Sequence, residues 1–196
     1  MNREIKFRVW NQDNQEFQYF VFSNGGHWSH NIEAYSTNAI KEWQQFTGLK
    51  DKFGTDIYEG DELSYKKPYR TTQTHAGDNI PNGSYTEPME PGIKTIYGEV
   101  MFKDGTFYLD TDEDSFGDMV DPISWHHYEW DLEGIKEAIS WTRQDADWFD
   151  DPEEGDLQYL ITDCAKVENA EQLMEYLSGF TIEGHIHDNS ELITNK

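Results

Sequence analysis

Apolar residues recur at every second position through much of the first 109 residues, and this period restricts the fold more than any other feature. Ile5, Phe7 and Val9 alternate with Lys6, Arg8 and Trp10. Beyond the polar cluster Asn11 to Gln15, Phe17, Tyr19 and Val21 repeat the pattern. A two-residue period belongs to half-buried strands, so the N-terminus predicts a β-hairpin. Glycines at 48, 54 and 60, with short apolar runs between them, are too close-set for helices and predict short strands joined by tight turns. Asp104-Gly105, between the runs Gly98–Lys103 and Thr106–Leu109, predicts a second hairpin. Residues 66–95 hold Pro68, Pro81, Pro88 and Pro91 without periodicity, and are expected as an extended loop between two strands.

The second half changes period. Leu132, Ile135 and Ile139 have helical spacing behind a candidate N-cap, Asp131, and predict a helix running to about Trp148. Residues 157–164 fit either a short helix or a strand. Asn169–Leu177 predicts another helix, with Gly179 as its stop, and the segment from Phe180 to His187 alternates like a strand. The expected fold class is therefore α+β and mainly β. The expected domains are a β-barrel-like body over residues 1–125 and 179–196, with the long loop 66–95, and an acidic helical insertion over 126–178.

Charge narrows the partners. The chain carries a net charge of −24, and residues 110–156 alone hold 17 acidic residues against two basic ones. A field of this sign repels nucleic acid and anionic membrane, and the small basic cluster Lys66, Lys67 and Arg70 is too slight to reverse it. Twenty-nine aromatic residues (seven Trp, 11 Tyr and 11 Phe) indicate a folded core, not an acidic disordered tail. No apolar run has the length of a membrane span, and the first ten residues interleave charges where a secretory leader needs an unbroken apolar core. Cys164 is alone, so no intrachain disulfide forms, and its expected role is that of a small buried hydrophobe.

No nucleophile elbow, phosphate loop or dinucleotide fingerprint is present, so neither catalytic nor cofactor residues are assigned. Residues 110–121 place acids at positions 1, 3, 5, 9 and 12, in the order of a calcium loop. However, Ser115 stands where that loop needs Gly, and Asp121 where it needs the longer Glu, so a solvated acidic loop is expected. His126-His127 and the pair His185 and His187 lack the third and fourth ligands of a zinc site and are expected to pack or lie at the surface. Trp125, Trp130, Trp141 and Trp148 run through the acidic region. Core packing is their first reading, and an aromatic patch with an acidic rim is the second.

Four segments together resemble the YopX-like proteins of bacteriophages and prophages. They are Arg3–Trp10, Gln45–Asp51 with Ile57–Asp61, the strand pair Gly98–Leu109, and the tail Ile182–Leu192. The resemblance implies phage origin and a small, partly open SH3-like barrel with an N-terminal hairpin, and it supplies no activity or catalytic residues. His185 and His187 stand where the family more often has Asn and Tyr. Together with the charge, this leads to the expectation of a non-enzymatic phage accessory protein in the cytoplasm of a bacterial host, binding a host or phage protein. The rival expectations are a DNA mimic that blocks a host nuclease or DNA-binding protein, and metal-dependent activity. Exposed edge strands leave self-association as a further expectation.

Overall fold

A computed structural model describes residues 5–22, 40–77, 84–111, 123, 129–142, 149–150 and 154–187. The calcium-loop candidate beyond Thr111, His126-His127, Trp125 and Trp148 lie outside the described residues. Two four-stranded sheets account for most of the described chain. The first has the order β2-β1-β3-β4, formed by β1 (Ile5–Asn11), β2 (Glu16–Phe22), β3 (Ile40–Lys50) and β4 (Asp56–Tyr58). The second has the order β10-β5-β6-β7, formed by β5 (Asp61–Ala76), β6 (Ser84–Lys103), β7 (Thr106–Thr111) and β10 (Thr181–His185). No closed barrel forms among the described strands. By contacts the chain divides into two compact units, one of residues 1–64, 97–127 and 180–196, the other of residues 65–96 and 128–179.

In the first unit both predicted hairpins form. Asn11 pairs with Glu16, and the Asn11 side chain accepts from the backbone N–H of Asp13 and of Asn14, an Asx turn that closes the β1–β2 loop. Asp104 and Gly105 both adopt positive φ, 51° and 83°, as a two-residue turn matching the strand twist requires. The β1–β2 register places Phe7 opposite Phe20 and Val9 opposite Gln18 on one face, with Arg8 opposite Tyr19 and Trp10 opposite Phe17 on the other. Val9 and Phe20 are buried, as are Ile57, Leu63, Val100, Leu109 and Phe180 elsewhere in the unit.

On the other face Arg8 is buried too, although Tyr19 opposite it is exposed. Arg8 is only 5% exposed. Its guanidinium donates to Asp61 Oδ1 at 2.5 Å, to Gln44 Oε1 at 2.6 Å and to the Glu59 carbonyl at 3.3 Å. It also lies 4.0 Å from the centre of the Phe17 ring and 4.9 Å from that of Tyr58. Asp61, 1% exposed, completes its own set by accepting from the Tyr58 N–H at 2.8 Å. Burial pushes the Asp61 carboxyl above its ordinary range, while Arg8 and the Tyr58 N–H pull it back. Burial, reinforced by the Asp56 charge, pushes the Tyr58 hydroxyl up to about 12.

The stretch 66–95 corrects the expectation of a loop: its described residues are the bodies of β5 and β6. Lys66 reaches Thr95, Tyr69 faces Gly92 and His75 meets Glu87, so one strand advances as the other retreats in an antiparallel ribbon. In the described register β10 pairs only with Asp61–Ser64 of β5 and β7 only with Gly98–Lys103 of β6, so along 66–95 each strand keeps an outer edge where a proline's missing N–H breaks no ladder bond. Pro68, Pro88 and Pro91 therefore fit within strands.

The second unit also holds α1 (Leu132–Ile139), the short pair β8 (Trp141–Thr142) and β9 (Phe149–Asp150), α2 (Glu154–Tyr159) and α3 (Ala170–Leu177). Asp131 and Asn169 cap α1 and α3, accepting from Gly134 and Gln172. The first helix ends at Ile139, well before Trp148, because Ser140 turns extended and β8 begins. Residues 157–164 resolve as helix: α2 continues into a π-helical turn, Leu160–Ala165, which ends at Lys166 in the left-handed region. Ile135, Ile139, Leu160, Ile161, Leu173 and Leu177 form the core, with Ile93 and Trp130 packed against it.

Two outcomes follow from the first unit. Arg8→Leu leaves Asp61 charged and unpaired in the interior and is expected to cost about 3–5 kcal/mol in urea denaturation, with much of the loss recovered in the Arg8→Leu/Asp61→Leu double variant. The second concerns Asp56, which receives Lys6 Nζ at 2.7 Å and Lys50 Nζ at 2.6 Å. Desolvation alone would raise its pKa, but the two lysines outweigh that and hold it below the ordinary 3.8. A depressed carboxylate pKa gives stability that is present above 3.8 and lost as pH falls through the lower folded-state value. Asp56→Asn is expected to remove this part of the acid dependence, and added salt to shrink it, since Lys50 is exposed.

Candidate functional site: an acidic cleft on the second sheet

Strand register brings together acids that are far apart in sequence. In the β6–β7 hairpin Glu99 pairs with Asp110, so the two side chains leave the same face directly opposite one another. Tyr97, two residues before Glu99, shares that face and is 60% exposed. Glu62 on β5 and Glu183 on β10 join them around a cleft of about 210 Å³. The β5–β10 register shifts between Ile182 and Gly184, a bulge that contains Glu183, and Glu183 Oε1 accepts from Ser64 Oγ at 2.5 Å. Each of the four strands thus contributes one carboxylate.

Like charges placed opposite each other across a ladder destabilise it. Glu99 facing Asp110 is thus a cost to the sheet, of the kind found where a surface serves something besides folding. The cleft can attract and orient cations such as Lys and Arg side chains. Among the described residues no group of three or more His, Cys, Asp or Glu is placed to hold a metal ion.

The residues singled out in the sequence go elsewhere. His185 and His187 enter an aromatic layer. Trp10 stacks on His187 at 5.2 Å, Phe17 meets His185 edge-on at 4.6 Å, and the His187 N–H donates to His185 Nδ1 at 3.1 Å. Trp130 packs on the helical core, and its N–H donates to Ser178 Oγ. Cys164 lies half-buried in the π-helical turn. Burial, followed by Asp163 and Glu90, pushes its thiol up, the opposite of what a nucleophilic thiolate needs. Two members of the basic cluster are engaged within the second unit, Arg70 with Asp156 and Lys66 with Thr95 and the Tyr176 ring, while Lys67 is exposed.

Half of the cleft was legible beforehand. A two-residue turn at Asp104-Gly105 sets Glu99 opposite Asp110, but no sequence signal joins Glu62 or Glu183 to them. A family model described as YopX protein matches residues 6–131, well over half of the chain, and ends before β10. No curated protein matches the chain.

Asp110→Lys converts the opposed pair into an attractive one. It is expected to stabilise the protein by about 0.2–1 kcal/mol in thermal or urea unfolding while weakening any cation binding at the cleft.

Proposed function

We propose that this chain, which belongs to the YopX family, is a non-enzymatic binding module that captures a basic segment of another protein. The observation that carries the reading is the cleft itself. Glu62, Glu99, Asp110 and Glu183 converge from four strands beside the exposed ring of Tyr97, an acidic rim around an aromatic anchor. The net charge of −24 extends the same preference by drawing basic partners at long range. On this reading the protein is a phage accessory factor acting in the bacterial cytoplasm on a host or phage protein. The finer fold assignment belongs to the same proposal. A partly open SH3-like barrel for the first unit is supported by the two antiparallel sheets to which its strands belong and by the tight Glu59-Gly60 passage between β4 and β5.

DNA mimicry is the second reading, favoured by the 17 acidic residues in 110–156. One experiment separates the two. Immobilised wild type and a Glu62→Gln/Glu99→Gln/Asp110→Asn/Glu183→Gln variant are incubated with nuclease-treated bacterial lysate at low and moderate salt. The proposal expects a salt-sensitive partner that the variant captures at least tenfold less well. Equal capture by both proteins overturns it. Displacement of the partner by duplex DNA assigns the interaction to mimicry instead.

A further inference from the structure

The first unit has a second concave site, a groove of about 370 Å³ that shares Glu99 with the acidic cleft. Gln44 lines it and is only 2% exposed. Its Oε1 accepts from Arg8 Nε, and a guanidinium can only donate, so the amide orientation is fixed with oxygen toward Arg8 and nitrogen away. Gln44 Nε2 is buried without a hydrogen-bond partner among the described residues. It points at Gly60, where a Cβ would lie 2.5 Å from it. Gly60 turns at φ +76°, so the missing side chain both permits the turn and leaves room for the Gln44 amide beside it. Trp43, Met101, Phe102 and Ile186 supply apolar walls, and Glu59 and Glu99 supply charge.

These features select a ligand chemistry. A buried N–H left unpaired is unfavourable, so the group that meets it must be an acceptor. Two nearby carboxylates repel an anionic acceptor, which leaves a neutral carbonyl. The apolar walls suit a hydrophobic side chain beside that carbonyl, and Glu99 leads on to the acidic cleft. We propose that the groove binds an extended segment of a partner protein. A backbone carbonyl accepts from Gln44 Nε2, an apolar side chain lies against Trp43 and Phe102, and a Lys or Arg continues past Glu99. The inference rests on the protein-binding reading above and specifies the segment recognised.

The test uses the full chain and an array of N-acetylated, C-amidated hexapeptides that combine Lys or Arg with Leu, Val or Phe, plus a matched array in which Glu replaces the cations. Gln44→Glu keeps an oxygen toward Arg8 but exchanges the free donor for an acceptor, while Met101→Glu places charge on the groove wall. The thermal midpoint of each variant checks that it is folded. The expected result is binding of cationic apolar hexapeptides, a shift of the Gln44 side-chain amide resonance, and at least tenfold weaker binding in both variants. Binding that leaves this resonance unmoved, is unchanged in both variants and is lost in Asp110→Asn/Glu183→Gln overturns the groove while the protein-binding reading stands. Equal binding of the Glu-containing peptides overturns the carbonyl-and-cation specificity. No binding by any member of the array overturns both readings.

Discussion

The ion pair of Arg8 and Asp61 joins parts of the first unit that sequence separation would otherwise leave independent. Arg8 comes from β1, Gln44 from β3, the Glu59 carbonyl from the turn after β4, and Asp61 from the first position of β5. A buried pair like this is not a large source of stability, because desolvating two charges cancels much of their attraction. Its effect is on specificity. A register slip of one residue would turn Arg8 to the other face and leave Asp61 charged without a partner, so the pair penalises alternative strand pairings more than it rewards the native one. Phe17 and Tyr58 enclose the guanidinium and exclude the water that would make such a slip tolerable.

Local rules made much of this fold legible. Asp104-Gly105, the cap Asp131 and the turn glycines 54 and 60 each act within a few residues, and each was found where expected, whereas Gly48, expected in a turn between strands, takes its positive φ inside β3. The errors arose where the tertiary setting outweighed a local signal. Proline normally argues against a strand, but the β5–β6 ribbon has outer edges that need no N–H. Arg8 occupies the polar phase of an alternating strand, but Phe17 and Tyr58 cover it there. The helix was carried too far: the apolar spacing that predicts α1 stops at Ile139, and the backbone turns extended at Ser140.

The candidate site was less legible than the fold for the same reason. Charge density along the chain drew attention to residues 110–156, where acids are adjacent in sequence. The cleft instead draws Glu62, Glu99, Asp110 and Glu183 from four strands, and only the β6–β7 pair is joined by a turn short enough to count across. Gln44 carried no signal at all. Its interest lies in one hydrogen bond that fixes which end of its amide faces Arg8, and in the other end, which is buried beside Gly60 without a hydrogen-bond partner among the described residues.

The last described strand has a consequence for how the protein is made. β10 pairs with the first residues of β5, from Thr181 opposite Ser64 to His185 opposite Asp61. On the ribosome, roughly 120 residues separate the synthesis of these two strands, about 6–24 s at typical rates of elongation. For that interval the edge of β5 beside Asp61 lacks its native cover, and pairing across such a sequence distance is slow in any case. The family match ends at residue 131, so the matched residues do not include the strand that pairs with β5 beside Asp61. The nascent chain must keep that edge from other partners until its own distant segment arrives.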